Sequence, residues 1–200
     1  MTIRLATLLC ALAITGCNKP SMEEIAWEDS TVMDASKMKA LLANGLNPNL
    51  ETAGPGYKDF LLYRACKYRQ PNTVRVLLEH GADPNKRTWG FGKTCLFQAA
   101  YDGRLDIASL LLDAGADVNA VDDSGNNALR EAALNGKIEA AVFLLSKGLS
   151  PQQRNKQGLT MLDVVAKYAK PKVAAAINEI VEPQRRANPP PPAAPESGSR

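Results

Sequence analysis

Leu-Leu-Asp-Ala-Gly-Ala-Asp-Val-Asn, residues 111–119, recurs with few changes at 77–85 as Leu-Leu-Glu-His-Gly-Ala-Asp-Pro-Asn. Weaker copies are Leu-Leu-Ala-Asn-Gly-Leu-Asn-Pro-Asn at 41–49 and Leu-Leu-Ser-Lys-Gly-Leu-Ser-Pro-Gln at 144–152. The glycines stand at 45, 81, 115 and 148, spaced by 36, 34 and 33 residues. A second series, Leu62, Leu96, Leu129 and Leu162, is spaced by 34, 33 and 33. Two series that recur together, offset by 17, 15, 14 and 14 residues, are the mark of an array of short supersecondary units.

Each mark has a physical reason. Leu110-Leu111-Leu112 gives a helix its buried face. Gly81, Gly115 and Gly148 end such helices where a positive φ is wanted. Ala99-Ala100 and Ala132-Ala133 are small enough for neighbouring helices to approach closely, and Thr94 or Asn127 can cap a first helix through its side-chain oxygen. No unit buries its apolar face alone, so stacking has to make the core. The first unit, from Ser21, shows a capping-box hint (Ser21-x-x-Glu24) and a second helix at 36–44. The last, 153–181, lacks the Gly-Ala-Asp ending, and both end units read as caps. Residues 50–60 carry extra hairpin length, and 86–93 about one extra residue.

The starts of two units are Gly92-Lys93-Thr94-Cys95-Leu96-Phe97-Gln98-Ala99-Ala100 and Gly125-Asn126-Asn127-Ala128-Leu129-Arg130-Glu131-Ala132-Ala133. With the Gly-Ala-Asp-x-Asn endings, this pattern resembles the ankyrin repeat family over about residues 22–182. The resemblance implies an all-α ankyrin repeat solenoid of about five helix-pair repeats with short hairpin loops. The family's Pro and His are replaced by Leu61 and Tyr63, Cys95 and Phe97, Ala128 and Arg130, and Met161 and Asp163. That removes Pro pre-organisation and His hydrogen bonds, an expected cost in stability. In ankyrin proteins the hairpin tips and the exposed end of the first helix line a concave face that grips partners. Those positions here are Tyr57, Lys58, Lys67, Tyr68, Trp89, Phe91, Lys93, Tyr101, Asp102, Leu134, Asn135, Lys167 and Tyr168. Six of the chain's eleven aromatic residues fall among them, and exposed aromatics are the usual anchors of protein interfaces. Tyr57 and Phe91 can instead fold back over the core. Lys67, Arg69 and Lys93 suit an acidic partner surface.

The chain has 200 residues, 45% hydrophobic and 22% charged, in the range of globular domains. With 24 basic and 21 acidic residues the formal charge is +3, which gives no electrostatic reason to expect nucleic acid. The lone histidine, His80, ends a second helix, where the dipole favours it, and leaves no multi-His metal site. No Ser–His–Asp or Cys–His arrangement can be assembled, so neither an enzyme nor a cofactor is expected. Gly92-Lys93-Thr94 imitates the end of a phosphate-binding loop, but the required glycine is replaced by Arg87, so no nucleotide is expected. Cys66 and Cys95 occupy different repeat positions, about five residues out of register, and are expected as buried free thiols.

The first seventeen residues read as an address. Arg4 supplies a positive start, Leu5 to Ile14 a short apolar run, and no acid occurs before Glu23. Leu12-Ala13-Ile14-Thr15-Gly16-Cys17 resembles a bacterial lipoprotein lipobox. That resemblance implies a signal peptide at 1–16, lipid on Cys17 and a linker at 17–21. Asn18, rather than Asp, follows the cysteine, which implies the periplasmic face of the outer membrane of a Gram-negative bacterium. At the other end, residues 183–200 hold six prolines and no large apolar residue, and are expected as a disordered tail.

Together these readings point to a lipid-anchored periplasmic module that binds another protein. Small lipoproteins of this build resemble immunity proteins that neutralise periplasm-acting toxins of type VI secretion systems, notably phospholipase effectors. The alternative is an envelope scaffold that tethers a resident protein, such as an oxidative-defence enzyme.

Overall fold

The computed structural model describes Ser21, Ala26, residues 34–51 and residues 59–187. The lipobox and Cys17, the Ser21–Glu24 capping box, Tyr57, Lys58 and the proline run from 189 lie, in whole or in part, outside those residues. The chain divides into two compact units, the first ending at Asp83 and the second beginning at Pro84.

The first unit holds α1 (Ala35–Ala43), α2 (Leu61–Lys67) and α3 (Pro71–Glu79). Asp34 caps α1, its carboxylate accepting from the Ser36 and Lys37 amides at 2.9 and 3.2 Å. Pro71 occupies the first turn of α3, where its missing N–H costs nothing. α3 packs against both α1 and α2, burying Met38 and Leu42, Leu62 and Ala65, and Val74 and Leu77.

The second unit holds α4 (Cys95–Asp102), α5 (Leu105–Asp113), α6 (Ala128–Leu134), α7 (Ile138–Ser146), α8 (Met161–Tyr168) and α9 (Pro171–Ala187). The first helices α4, α6 and α8 pack in series, α5 packs on α7 and α7 on α9, and each first helix meets its own second helix. This is the stacked helix-pair solenoid that the repeats predict. Leu96, Leu129 and Leu162 are all buried, as are Ala99-Ala100 and Ala132-Ala133. The described residues show only two isolated bridges, Glu51 with Phe60 and Arg154 with Thr160, at hairpin bases.

The repeated glycines behave as the spacing predicts. Gly45, Gly81, Gly115 and Gly148 have φ between 86 and 93°. After each, the next amide reaches back five residues, as in Ala116 N–H to the Leu111 carbonyl at 2.9 Å, closing a Schellman turn. The motif's final Asn joins neighbouring repeats. In the second unit, Asn85 Nδ2 donates to the Gly115 carbonyl at 3.0 Å and its Oδ1 accepts from the Asp117 amide at 2.7 Å. Asn119 makes the same pair with Gly148 and Ser150, and within the first unit Asn49 does so with Gly81 and Asp83. Gln152 stands at this position in the last copy.

Three details differ from the sequence reading or refine it. Asn127 caps α6 through its side chain, but Thr94 makes no such bond to α4; its backbone is extended and its carbonyl starts the helix instead. Asp163, in place of the family His, completes a reciprocal capping box with Thr160. Finally, α9 runs through Pro183 to Ala187, past the expected end of the folded part at 182. Val173, Ile177 and Val181 form a buried stripe that holds this helix against the core up to that point.

Candidate protein-binding groove

The second unit carries an open groove of about 700 Å³, formed by the hairpins before α6 and α8 and by the exposed sides of those helices. Asp123, Arg130, Leu134, Lys156, Val164 and Tyr168 supply its chemically distinct walls. Its rim is built by hairpin-to-hairpin hydrogen bonds. The Asp123 amide donates to the Phe91 carbonyl at 3.0 Å, and the Lys156 amide to the Ser124 carbonyl at 2.9 Å.

Below the rim lies a buried polar network. Asp122 accepts from the Ser124 and Asn126 amides at 2.8 and 2.9 Å. Asn155 donates to Asn126 Oδ1 at 3.1 Å and accepts from the Gln157 and Leu159 amides. Gly125 is required here. Its φ is 78°, and a Cβ would come within 3.0 Å of the Asn155 Cα.

Glu131, only 5% exposed, lies on α6. Its Oε1 receives both Lys93 Nζ and Arg130 Nη1 at 3.0 Å. A carboxylate so buried needs such partners, because desolvating it alone is expensive. Away from the groove, the Arg104 guanidinium hydrogen-bonds Asp106 and holds its carboxyl below the usual range.

The thirteen nominated positions now separate. Leu134 and Tyr168 line the groove together. Trp89, Phe91 and Tyr101 are exposed at 65, 60 and 47%, on the hairpin before α4 and at the end of α4, outside the groove's lining. Phe91 therefore does not fold back over the core. Lys167 is exposed and sits over the Tyr168 ring at 5.0 Å. Lys93 is half-buried, and its ammonium pairs with Glu131 Oε1 at 3.0 Å. Asp102 is half-buried and accepts from Gln98 Nε2 at 2.7 Å, while the Asn135 amide closes its own helix on the Glu131 carbonyl. In the first unit, Lys67 is exposed and Tyr68 is half-buried beneath the Arg64 guanidinium at 5.7 Å. Arg130 and Lys156 were not nominated, although both line the groove. Arg130 stands where the family carries its His, a replacement that could have drawn attention to it.

The other chemical candidates resolve simply. Cys66 and Cys95 are buried free thiols. His80 Nδ1 lies 2.8 Å from the Val76 carbonyl. Since a carbonyl only accepts, this nitrogen carries the proton, and the ring closes the last turn of α3. Among the described residues, no group of His, Cys, Asp and Glu could hold a metal ion, and no helix is long and apolar enough to cross a membrane.

Stacked helix pairs with short hairpins and an open side-chain-lined groove define a repeat scaffold of the protein-binding class. The chain belongs to the ankyrin repeat family: the family description "Ankyrin repeats (3 copies)" matches residues 31–122, 62–155 and 96–180. It is 34% identical over 97 residues to glycerophosphocholine phosphodiesterase gde1 of Schizosaccharomyces pombe, covering 48% of this chain and 8% of that protein. It is 40% identical over 93 residues to mouse ankyrin repeat and SOCS box protein 6, covering 46% and 22%. Human inversin is 34% identical over 93 residues, covering 46% and 9%. The chain thus spans under a quarter of each relative's length. The likeness to the phosphodiesterase is one of repeats, in a family that is generally non-catalytic.

Proposed function

We propose that this ankyrin protein is a lipid-anchored periplasmic inhibitor that grips another protein, in the manner of an immunity protein against a secreted phospholipase effector of a type VI system. The observation that carries protein binding is the groove containing Leu134 and Tyr168, with three further aromatic side chains exposed on the same unit. Such rings anchor interfaces because they bury large area at small entropy cost. The envelope location rests on Leu12–Cys17 and its resemblance to a lipobox. An inhibitor tethered to lipid would stand where a lipase attacks, and would act sterically by covering the toxin's active-site mouth or its membrane-facing side.

The test is periplasmic co-expression with the product of the neighbouring reading frame. The expected outcome is toxicity from that product alone, relieved by the wild-type chain and less well by Cys17→Ser. Absence of toxicity, or toxicity that this chain does not relieve, defeats the immunity reading. If a resident envelope protein is instead recovered as a stoichiometric complex, the scaffold role takes its place.

A further inference from the structure

We infer that the groove between α6 and α8 selects an acidic segment of its protein partner, seating a carboxylate on Arg130 beside an apolar side chain held by Leu134 and Tyr168. The inference rests on the groove being the docking surface, as proposed above.

The charge arrangement is the reason. Arg130 spends Nη1 on Glu131, and its Nε and Nη2 make no hydrogen bond or ion pair with the described residues. A guanidinium pinned at one nitrogen keeps its planar fork in place, and that fork matches a carboxylate. Lys156 adds a second cation to the wall, and its side chain likewise has no described ion-pair partner. Lys167 lies over the Tyr168 ring and adds positive charge beside it.

Of the anions nearby, Asp122 is buried below the rim and held by the Ser124 and Asn126 amides, and the other three are committed as well. Asp123 pairs with Arg87 at 2.8 Å, Glu131 is buried under two cations, and Asp163 accepts from Thr160 within the capping box. The groove therefore presents unspent positive charge next to an aromatic and an aliphatic surface. The complementary ligand is an Asp or Glu near an aromatic or aliphatic residue.

Selection from a random dodecapeptide library displayed on phage, with the full chain as bait, tests this. Enriched peptides are then synthesised and titrated by fluorescence anisotropy. The expected result is a consensus with Asp or Glu close to an apolar residue, and affinity that falls at least tenfold in Arg130→Gln and in Tyr168→Ala. It should also fall as salt rises. Lys156→Glu, at an exposed position, should weaken the same peptides and covers the case in which Arg130→Gln folds poorly. Peptides lacking acids that still depend on Leu134 and Tyr168 would overturn the carboxylate assignment while leaving the groove as the docking surface. An empty selection, or binding indifferent to every groove variant, would overturn both.

Discussion

Lys93 Nζ lies 3.0 Å from Glu131 Oε1 across 38 residues of sequence. One end is in a hairpin, the other on the next repeat's first helix, so the pair joins two repeats. Arg130 shares the same oxygen. The pair was not legible as such, because a lysine in a Gly-Lys-Thr turn looks like a partner-binding or phosphate-binding cation.

This triad predicts a non-additive mutant cycle. Lys93→Met leaves Glu131 with Arg130 and should cost about 1–2 kcal/mol in urea unfolding. Arg130→Met should cost similarly. The double variant buries a carboxylate with neither cation and should lose more than the sum, about 3–5 kcal/mol in all. Simple additivity would show that Glu131 does not depend on them.

The Asn clasp predicts a local effect. Asn85→Ala removes one donor and one acceptor from the junction of two repeats. The expected loss is about 1–2 kcal/mol, with faster amide exchange at Asp117, whose N–H the Asn85 side chain accepts. Unchanged exchange at Asp117 would mean that water or another group replaces the bond at no cost.

Arg69 is the described residue other than glycine with a positive φ, 57°. The equivalent linkers use Gly103 and Gly136, at 73 and 68°. Arg69→Gly should relieve strain and raise stability by about 1 kcal/mol. A loss on thermal unfolding would show that contacts of the arginine outweigh its strained backbone.

Among the described residues, Thr73 Oγ1 on α3 is buried with no hydrogen-bond partner. Replacing it with the isosteric Val removes an uncompensated hydroxyl. Thr73→Val should leave stability unchanged or raise it by up to about 1 kcal/mol. Destabilisation beyond that, measured by urea unfolding, would reveal a partner such as a bound water.

The repeat architecture was legible because its causes are local and periodic. The glycine and leucine series placed the helix ends and the buried face; Gly81, Gly115 and Gly148 took their positive φ as expected, and Gly45 shares it. His80 and the two thiols were legible for the same reason. What escaped depends on contacts between repeats. Arg130 became visible as a groove cation only once its neighbour Glu131 was found buried, and the same carboxylate gives Lys93 a partner within the chain. The Asp122–Asn126–Asn155 network spans two hairpins, so neither hairpin alone announces it. The folded part was expected to end at 182 because 183–200 are proline-rich without large apolar residues, whereas α9 runs on through Pro183 to Ala187, beyond its buried stripe Val173, Ile177 and Val181.

Hydrogen–deuterium exchange of the full chain, free and saturated with its captured partner protein, tests the central claim most directly. The account predicts protection concentrated at the groove walls, residues 123–134 and 156–168, and loss of that protection together with binding in Tyr168→Ala. Protection confined to α1–α3 or α9, with the groove exchanging as in the free chain, would contradict it.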